Sequence, residues 1–181
     1  MLNAKIKISQ VNNLTDARYF SAWGVNYLGF DVLPNSPRFI APPLVKEIAE
    51  WIEGPKIFLE SSDAVDEIWI NNYLEALGSV LMERKIDNQD NLIGLYGESL
   101  DGKKVVTYKS SLSWSSISRS YIEGLVRSYD EVFVDIPFGD DDIGIILDSG
   151  ISGFVLRGGE EEKTGFKSYD DLDKVFDRIA E

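Results

Sequence analysis

The chain contains no cysteine and no histidine. Without cysteine there is no disulfide framework, no thiolate nucleophile and no sulfur ligand for a metal. Without histidine the commonest general base and the commonest transition-metal ligand are gone, and serine–histidine hydrolase chemistry is excluded. Proton transfer falls to carboxylates, lysine or tyrosine, and neither a metal nor a cofactor is expected. Positive charge is scarce too: 18 Lys and Arg stand against 31 Asp and Glu, a net charge of −13. That balance repels nucleic-acid phosphates and anionic membranes, and no run of basic residues is dense enough to reverse it. No apolar run approaches the ~18 residues that span a bilayer, and the chain starts directly on an alternating strand with no signal-peptide pattern, which reads as cytoplasmic.

What is present is a well-mixed globular sequence of 181 residues, 44% hydrophobic and 12% aromatic, read as one domain over 1–181. Eight short apolar, often β-branched runs recur: Lys5 to Ser9, Tyr27 to Val32, Lys56 to Glu60, Val80 to Glu83, Leu92 to Tyr96, Lys104 to Tyr108, Glu131 to Ile136 and Gly153 to Arg157. Several are almost continuously apolar, as strands covered on both faces are. Helical patterns lie between them at Leu14 to Trp23, Pro43 to Ile52, Ala64 to Leu77, Ser113 to Ser128, Asp140 to Asp148 and Tyr169 to Ala180. Strand–helix alternation with eight strands gives an α/β fold, a short (β/α)8 TIM-type barrel with helices 4 and 5 reduced or missing. Lys85 to Asn91 and Gly97 to Lys103 are too short for crossover helices. A partly antiparallel or open variant is the competing arrangement, because Leu92 to Lys109, with Asp101-Gly102 at its middle, also reads as a hairpin.

Both ends of the chain carry a family pattern. Lys7-Ile8-Ser9 is followed by a helix containing Asp16-Ala17, then Gly24, Tyr27-Leu28-Gly29-Phe30 and Ser36-Pro37-Arg38. Near the other end stand Gly153-Phe154-Val155-Leu156-Arg157-Gly158-Gly159-Glu160-Glu161 and Thr164-Gly165-Phe166-Lys167. In order and spacing this resembles phosphoribosylanthranilate isomerase of the tryptophan pathway, with its K-I-C-G-I strand, G-A-D-x-L-G-F strand, S-P-R loop and G-V-D-V-S-S-G-V-E ending. The likeness is specific over about a third of the chain. It implies an aldosylamine-to-aminoketose rearrangement on a small phosphorylated, carboxylate-bearing ligand.

The resemblance also assigns residues. Ser9 stands where the family keeps the cysteine that acts as general base, and a serine hydroxyl with no histidine to activate it cannot hold that proton at working pH. Ser9 is otherwise a small polar residue at the barrel mouth. The family's acid is an aspartate ending the sixth strand, a place that falls at or beside Tyr108-Lys109. Asp135 takes that role only if Val132 to Ile136 is the sixth strand; otherwise it is a strand-end carboxylate bonded to backbone amides. Arg38 corresponds to the arginine that contacts the anthranilate end of the ligand, or else ties down its own loop. Gly139, Gly158 and Gly159 are the remnants of the phosphate loops, but Pro137-Phe138 replace amide donors and Glu160-Glu161-Glu162 add negative charge. Two readings follow, a divergent isomerase with another acid–base pair and a catalytically silent barrel that binds a small ligand or a protein.

Overall fold

The computed structural model describes residues 2–61, 66–78, 80–86, 93–98, 102–158 and 168–180. Gly159, the run Glu160 to Glu162 and the segment Thr164 to Lys167 lie outside them. Strands β1 (Lys5–Ser9), β2 (Tyr27–Asp31) and β3 (Lys56–Glu60) alternate with helices α1 (Leu14–Ala22), α2 (Pro42–Glu50) and α3 (Glu67–Leu77). Then come β4 (Leu81–Met82), β5 (Arg84–Ile86), β6 (Ile93–Glu98), β7 (Lys104–Lys109), α4 (Arg119–Ser128), β8 (Glu131–Asp135), α5 (Asp140–Asp148), β9 (Gly153–Arg157) and α6 (Asp170–Ala180). Local chemistry sets the helix ends. The Asn13 side chain accepts from the Asp16 amide at 2.8 Å to start α1, and Asp66 does the same for Ile68 at the start of α3. Gly78 closes α3 at φ 75°.

The strands form a single sheet in the order β4-β3-β2-β1-β9-β8-β7-β6-β5. Seven strands, β1 to β4 and β7 to β9, run parallel. The first strand sits between the second and the last, as barrel-type winding requires. The sheet is curled, and β4 and β5 are separated by Glu83 alone. One short segment is thus bonded to β3 on one side and to β6 on the other.

The all-parallel eightfold repeat is broken at β6, which is antiparallel to both β5 and β7. Six residues join β5 to β6 and five join β6 to β7, whereas a parallel crossover needs about a dozen. The chain therefore reverses twice in succession, and the second reversal returns β7 to the common direction. Among the described residues six α-helices are present near the places expected from sequence, the run Ser113 to Ser128 dividing into a 3-10 turn at Trp114–Ser116 and α4.

Side-chain alternation along the strands divides the core. Residues such as Ile6, Ile8, Leu28, Phe30, Val134 and Phe154 face the helices and belong to the larger apolar cluster. Tyr27, Phe58, Leu81, Val105, Phe133 and Val155, one from each of six parallel strands, fill the inside of the curled sheet. Between this inner layer and the carboxyl ends of the strands lies a layer that is polar, and it supports the candidate site.

Candidate functional site

The polar layer begins with Lys7, which is 1% exposed and lies on β1 two residues before Ser9. Its ammonium is 2.9 Å from Glu60 Oε1 and 2.5 Å from Glu83 Oε2, and stands 4.7 Å above the Phe58 ring. Thr107 Oγ1 donates to the other oxygen of Glu83 at 3.0 Å. The cluster thus ties β1, β3, β7 and the β4–β5 junction together across the interior. Burial alone would lower the Lys7 pKa, but the charges of Glu60 and then Glu83 outweigh it and raise it. Burial pushes the Glu83 carboxyl up to about 7 against the attraction of Lys7, and the charge of Glu60 adds to the rise.

Glu60 connects this layer to the mouth at the carboxyl ends of the strands. Its Oε2 accepts from Ser9 Oγ at 2.9 Å and from the Gln10 amide at 2.9 Å. The carboxylate reaches over β2 because Gly29 has no side chain: a Cβ there would lie 2.2 Å from Glu60 Oε1. Gln10 occupies the left-handed region at φ 59°, in the place of the glycine that follows the cysteine in the K-I-C-G pattern. Its strained backbone is held in part by the bond to Glu60. The Ser9 hydroxyl is therefore a donor to a carboxylate that is itself committed to Lys7 and to a backbone amide.

On the other side of the mouth, β7 ends in Lys109 and β8 ends in Asp135; with the adjoining β4 and β5 counted as one strand, these are the sixth and the seventh. On that count the strand carrying Val132 to Asp135 is the seventh. Asp135 is paired with a side chain, not with backbone amides. Arg157 Nη1 and Nη2 donate to its two oxygens at 2.7 and 2.5 Å, and Lys109 Nζ lies 3.8 Å away. The bond to Asp135 raises the Arg157 pKa above its ordinary value, against burial. Lys109, Ser110, Asp135, Pro137 and Arg157 line a cavity of about 490 Å³. Ser9 and Arg157 are register partners on β1 and β9, so the Ser9–Glu60 and Arg157–Asp135 pairs adjoin.

Arg38 lies half-buried on the loop after β2, at this same end of the sheet. The loop is fixed by Asp31, whose Oδ1 accepts from the Leu33 amide at 3.0 Å and whose Oδ2 accepts from Ser36 Oγ at 2.5 Å; Ser36 Oγ in turn accepts from the Arg38 amide at 3.2 Å. Gly158 follows β9. Gly139 precedes α5, but its amide donates to Asp142 Oδ2 at 2.9 Å, so the first turn's own carboxylate takes a donor that a phosphate would use. Phe138 packs on Phe154 with ring centroids 4.7 Å apart. The residues of the site that the sequence reading passed over are Lys7, Glu60, Glu83 and Arg157. Glu83 lies between β4 and β5, and Lys7, Glu60 and Arg157 are charged residues at inward-facing positions of apolar strands, a signal visible once Ser9 is assigned inward.

Among the described residues no helix is long and apolar enough to cross a membrane, and no group of His, Cys, Asp and Glu could hold a metal ion. No protein-family model and no curated protein sequence matches the chain. Solved structures do. A phosphoribosylanthranilate isomerase from Thermus thermophilus is 19% identical and superposes with a TM-score of 0.64 over 97% of this chain and 98% of that one. Monomers of a dimeric enzyme of the same name from Thermotoga maritima are 15% identical, with a TM-score of 0.60 over 98% of both chains. A further such isomerase, in complex with reduced 1-(o-carboxyphenylamino)-1-deoxyribulose 5-phosphate, is 13% identical with a TM-score of 0.51 over 97% and 98%. The fold of this chain is that of phosphoribosylanthranilate isomerase over nearly its whole length.

Proposed function

We propose that this chain is a divergent relative of phosphoribosylanthranilate isomerase that keeps the mouth for binding a small phosphorylated or carboxylate-bearing ligand and does not carry out the rearrangement. The observation that carries this reading is the state of the two proton-transfer positions. Ser9, in the place of the cysteine base, donates to Glu60 at 2.9 Å, and the sixth strand ends in a lysine where an acid is required. Losing a general acid or base costs about 10²–10⁴-fold each. Binding is supported by charge: among the described residues lining the mouth cavity, Lys109 and Arg157 face one carboxylate, that of Asp135. The guanidinium spends two of its five N–H donors on Asp135 and keeps the rest for an anion. The half-buried Arg38 lies at the same end of the sheet.

The test pairs a turnover assay on phosphoribosylanthranilate with calorimetric titration of the reduced product analogue. The expected result is no measurable turnover, with binding that weakens at least tenfold in Lys109→Gln and in Arg38→Ala. Absence of binding overturns the ligand assignment. A second reading is favoured by one contact, the reach of Glu60 to Ser9, because a carboxylate at that position is a competent base for removing a proton beside a carbonyl. Turnover that disappears in Glu60→Gln would replace the binding reading with this one.

A further inference from the structure

Beneath the mouth, the polar layer holds more acid than base. Glu60 and Glu83 share the one ammonium of Lys7, and all three side chains are buried. Ionised together, they leave one negative charge unmatched inside the curled sheet. Hydrogen bonding is out of balance in the same sense. Glu60 Oε1, although 2.9 Å from the Lys7 nitrogen, accepts no hydrogen bond from the described residues. A buried acceptor without a donor is unfavourable, as is a buried charge without a partner. The layer thus has both a charge and an acceptor in excess, and one added proton answers both.

The surroundings decide which carboxylate carries that proton. Glu60 Oε2 takes two donors from the mouth, Ser9 Oγ and the Gln10 amide, each at 2.9 Å, and both favour its ionised form. Glu83 is the deeper of the two, and its carboxyl is bonded to Lys7 and to the neutral hydroxyl of Thr107. That hydroxyl can donate to the carboxylate or accept from the acid, so it serves both states. Among the described residues, the charged groups that face Glu83 are Lys7 from β1 and Glu60 from β3, while Thr107 from β7 is uncharged. Arg157, at the end of β9, feels the charges of Glu60 and Glu83 after that of Asp135, which links this layer to the mouth.

We propose that this buried cluster is a proton-linked control on the mouth: a proton carried by Glu83 cancels the excess negative charge beneath Arg157, and an anion at the mouth is held more tightly while that proton is present. The affinity half of the proposal rests on the reading of the mouth as an anion site; the proton half does not. With Glu83 ionised, the layer under Arg157 repels the same ligand that Arg157 and Lys109 attract, and burial leaves that repulsion little screened by salt. Linkage fixes the sign. As pH falls and Glu83 takes its proton, affinity for an anion rises, and a bound anion in turn favours the proton.

The experiment follows the Glu83 carboxyl carbon, the Arg157 Nε–H and the Gly158 amide of the intact chain by magnetic resonance across neutral pH. It is run without ligand and with sulfate, whose charge is constant over that range, at ionic strength held with chloride. Without ligand, Glu83 should titrate near neutrality, with Arg157 and Gly158 following at the same midpoint. With sulfate, the Glu83 midpoint should move up, and sulfate affinity should be about threefold or more higher on the acid side of that midpoint than on the alkaline side. Glu83→Gln carries a neutral side chain with a donor, as the protonated acid does. In that variant Arg157 and Gly158 should lose the titration, and affinity should become independent of pH at the level of the protonated parent. Arg157 and Gly158 resonances that ignore Glu83, sulfate bound equally on both sides of the midpoint, or a pH dependence that survives in the variant would each overturn the proposal. The first two are read on the parent alone and do not depend on the variant folding. No sulfate binding at any pH, with Arg157 still following Glu83, would support the proton coupling and count against the anion reading of the mouth.

Discussion

Glu60 is the residue on which the mouth depends, and its position is permitted by an absence at Gly29. A Cβ on residue 29 would sit 2.2 Å from Glu60 Oε1. The side chain of Glu60 can yield, but only by leaving Lys7, Ser9 and Gln10. Gly29→Ala should therefore destabilise the chain by about 1–3 kcal/mol, read from the midpoint of chemical denaturation; an unchanged midpoint would show that Glu60 is not held by this geometry. Glu83 gives a second prediction, through pH. The folded chain holds the Glu83 proton up to about pH 7, while an unfolded chain releases it near 4.5. Between those values the folded state binds more protons, so this group's contribution to stability falls as pH rises through the window and stays lost above it. The expected size is on the order of 1–3 kcal/mol. Other carboxylates, such as Glu131 with its lowered pKa, slope the opposite way, so the measurement is the difference between the parent and Glu83→Gln. That difference should shift in favour of the variant between about pH 5 and pH 8, and a flat difference would contradict the prediction.

Among the elements, the strands and helices were legible in sequence and one direction was not. Apolar runs bounded by turn residues marked every strand but β5 among the nine described, and the helix ends followed from Asn13, the prolines in the first turn of α2 and Gly78. The hairpin reading of Leu92 to Lys109 holds within a curled and otherwise parallel sheet, because two consecutive short connections reverse the chain twice. Removing one crossover helix would leave every later strand inverted; removing two leaves only β6 inverted and restores the rest. Periodicity reports which face of a strand is buried and carries no sign for its direction, so this could be reached only by counting connections. The site was legible as positions and not as partnerships. Ser9, Arg38, Gly139 and Gly158 fall at one end of the sheet, but the bond from Ser9 to Glu60 and the fork from Arg157 to Asp135 join residues distant in sequence. The closest approach between elements gives a third prediction. A Cβ on Gly153 would lie 1.8 Å from the Lys5 carbonyl oxygen, an atom of the β1 backbone that cannot move without opening the β1–β9 ladder. Gly153→Ala should cost more than Gly29→Ala, where a side chain absorbs the strain. The reverse ranking by chemical denaturation would mean that the two strands have freedom to separate.

At the scale of the whole molecule, the proposed reading turns on two strand ends on different parts of the mouth, where the resemblance implies a base at Ser9 and an acid at or beside Tyr108-Lys109. Ser9 is a hydrogen-bond donor to Glu60, and Lys109 stands beside an Asp135 already gripped by Arg157. Restoring one member of a proton-transfer pair supplies a base without an acid, or an acid without a base, and each is worth about 10²–10⁴-fold only when the other step is not blocked. Ser9→Cys alone should therefore leave turnover of phosphoribosylanthranilate below detection, and so should Lys109→Asp alone. The double variant Ser9→Cys/Lys109→Asp should exceed either single variant by at least tenfold in kcat/KM. Its KM should stay high, because the Gly139 amide is still spent on Asp142 and one cation of the mouth has been removed. Turnover in Ser9→Cys equal to that of the double variant would show that an acid elsewhere in the mouth already serves, and would return the sixth strand to the list of places where this chain has changed its residue without losing the function.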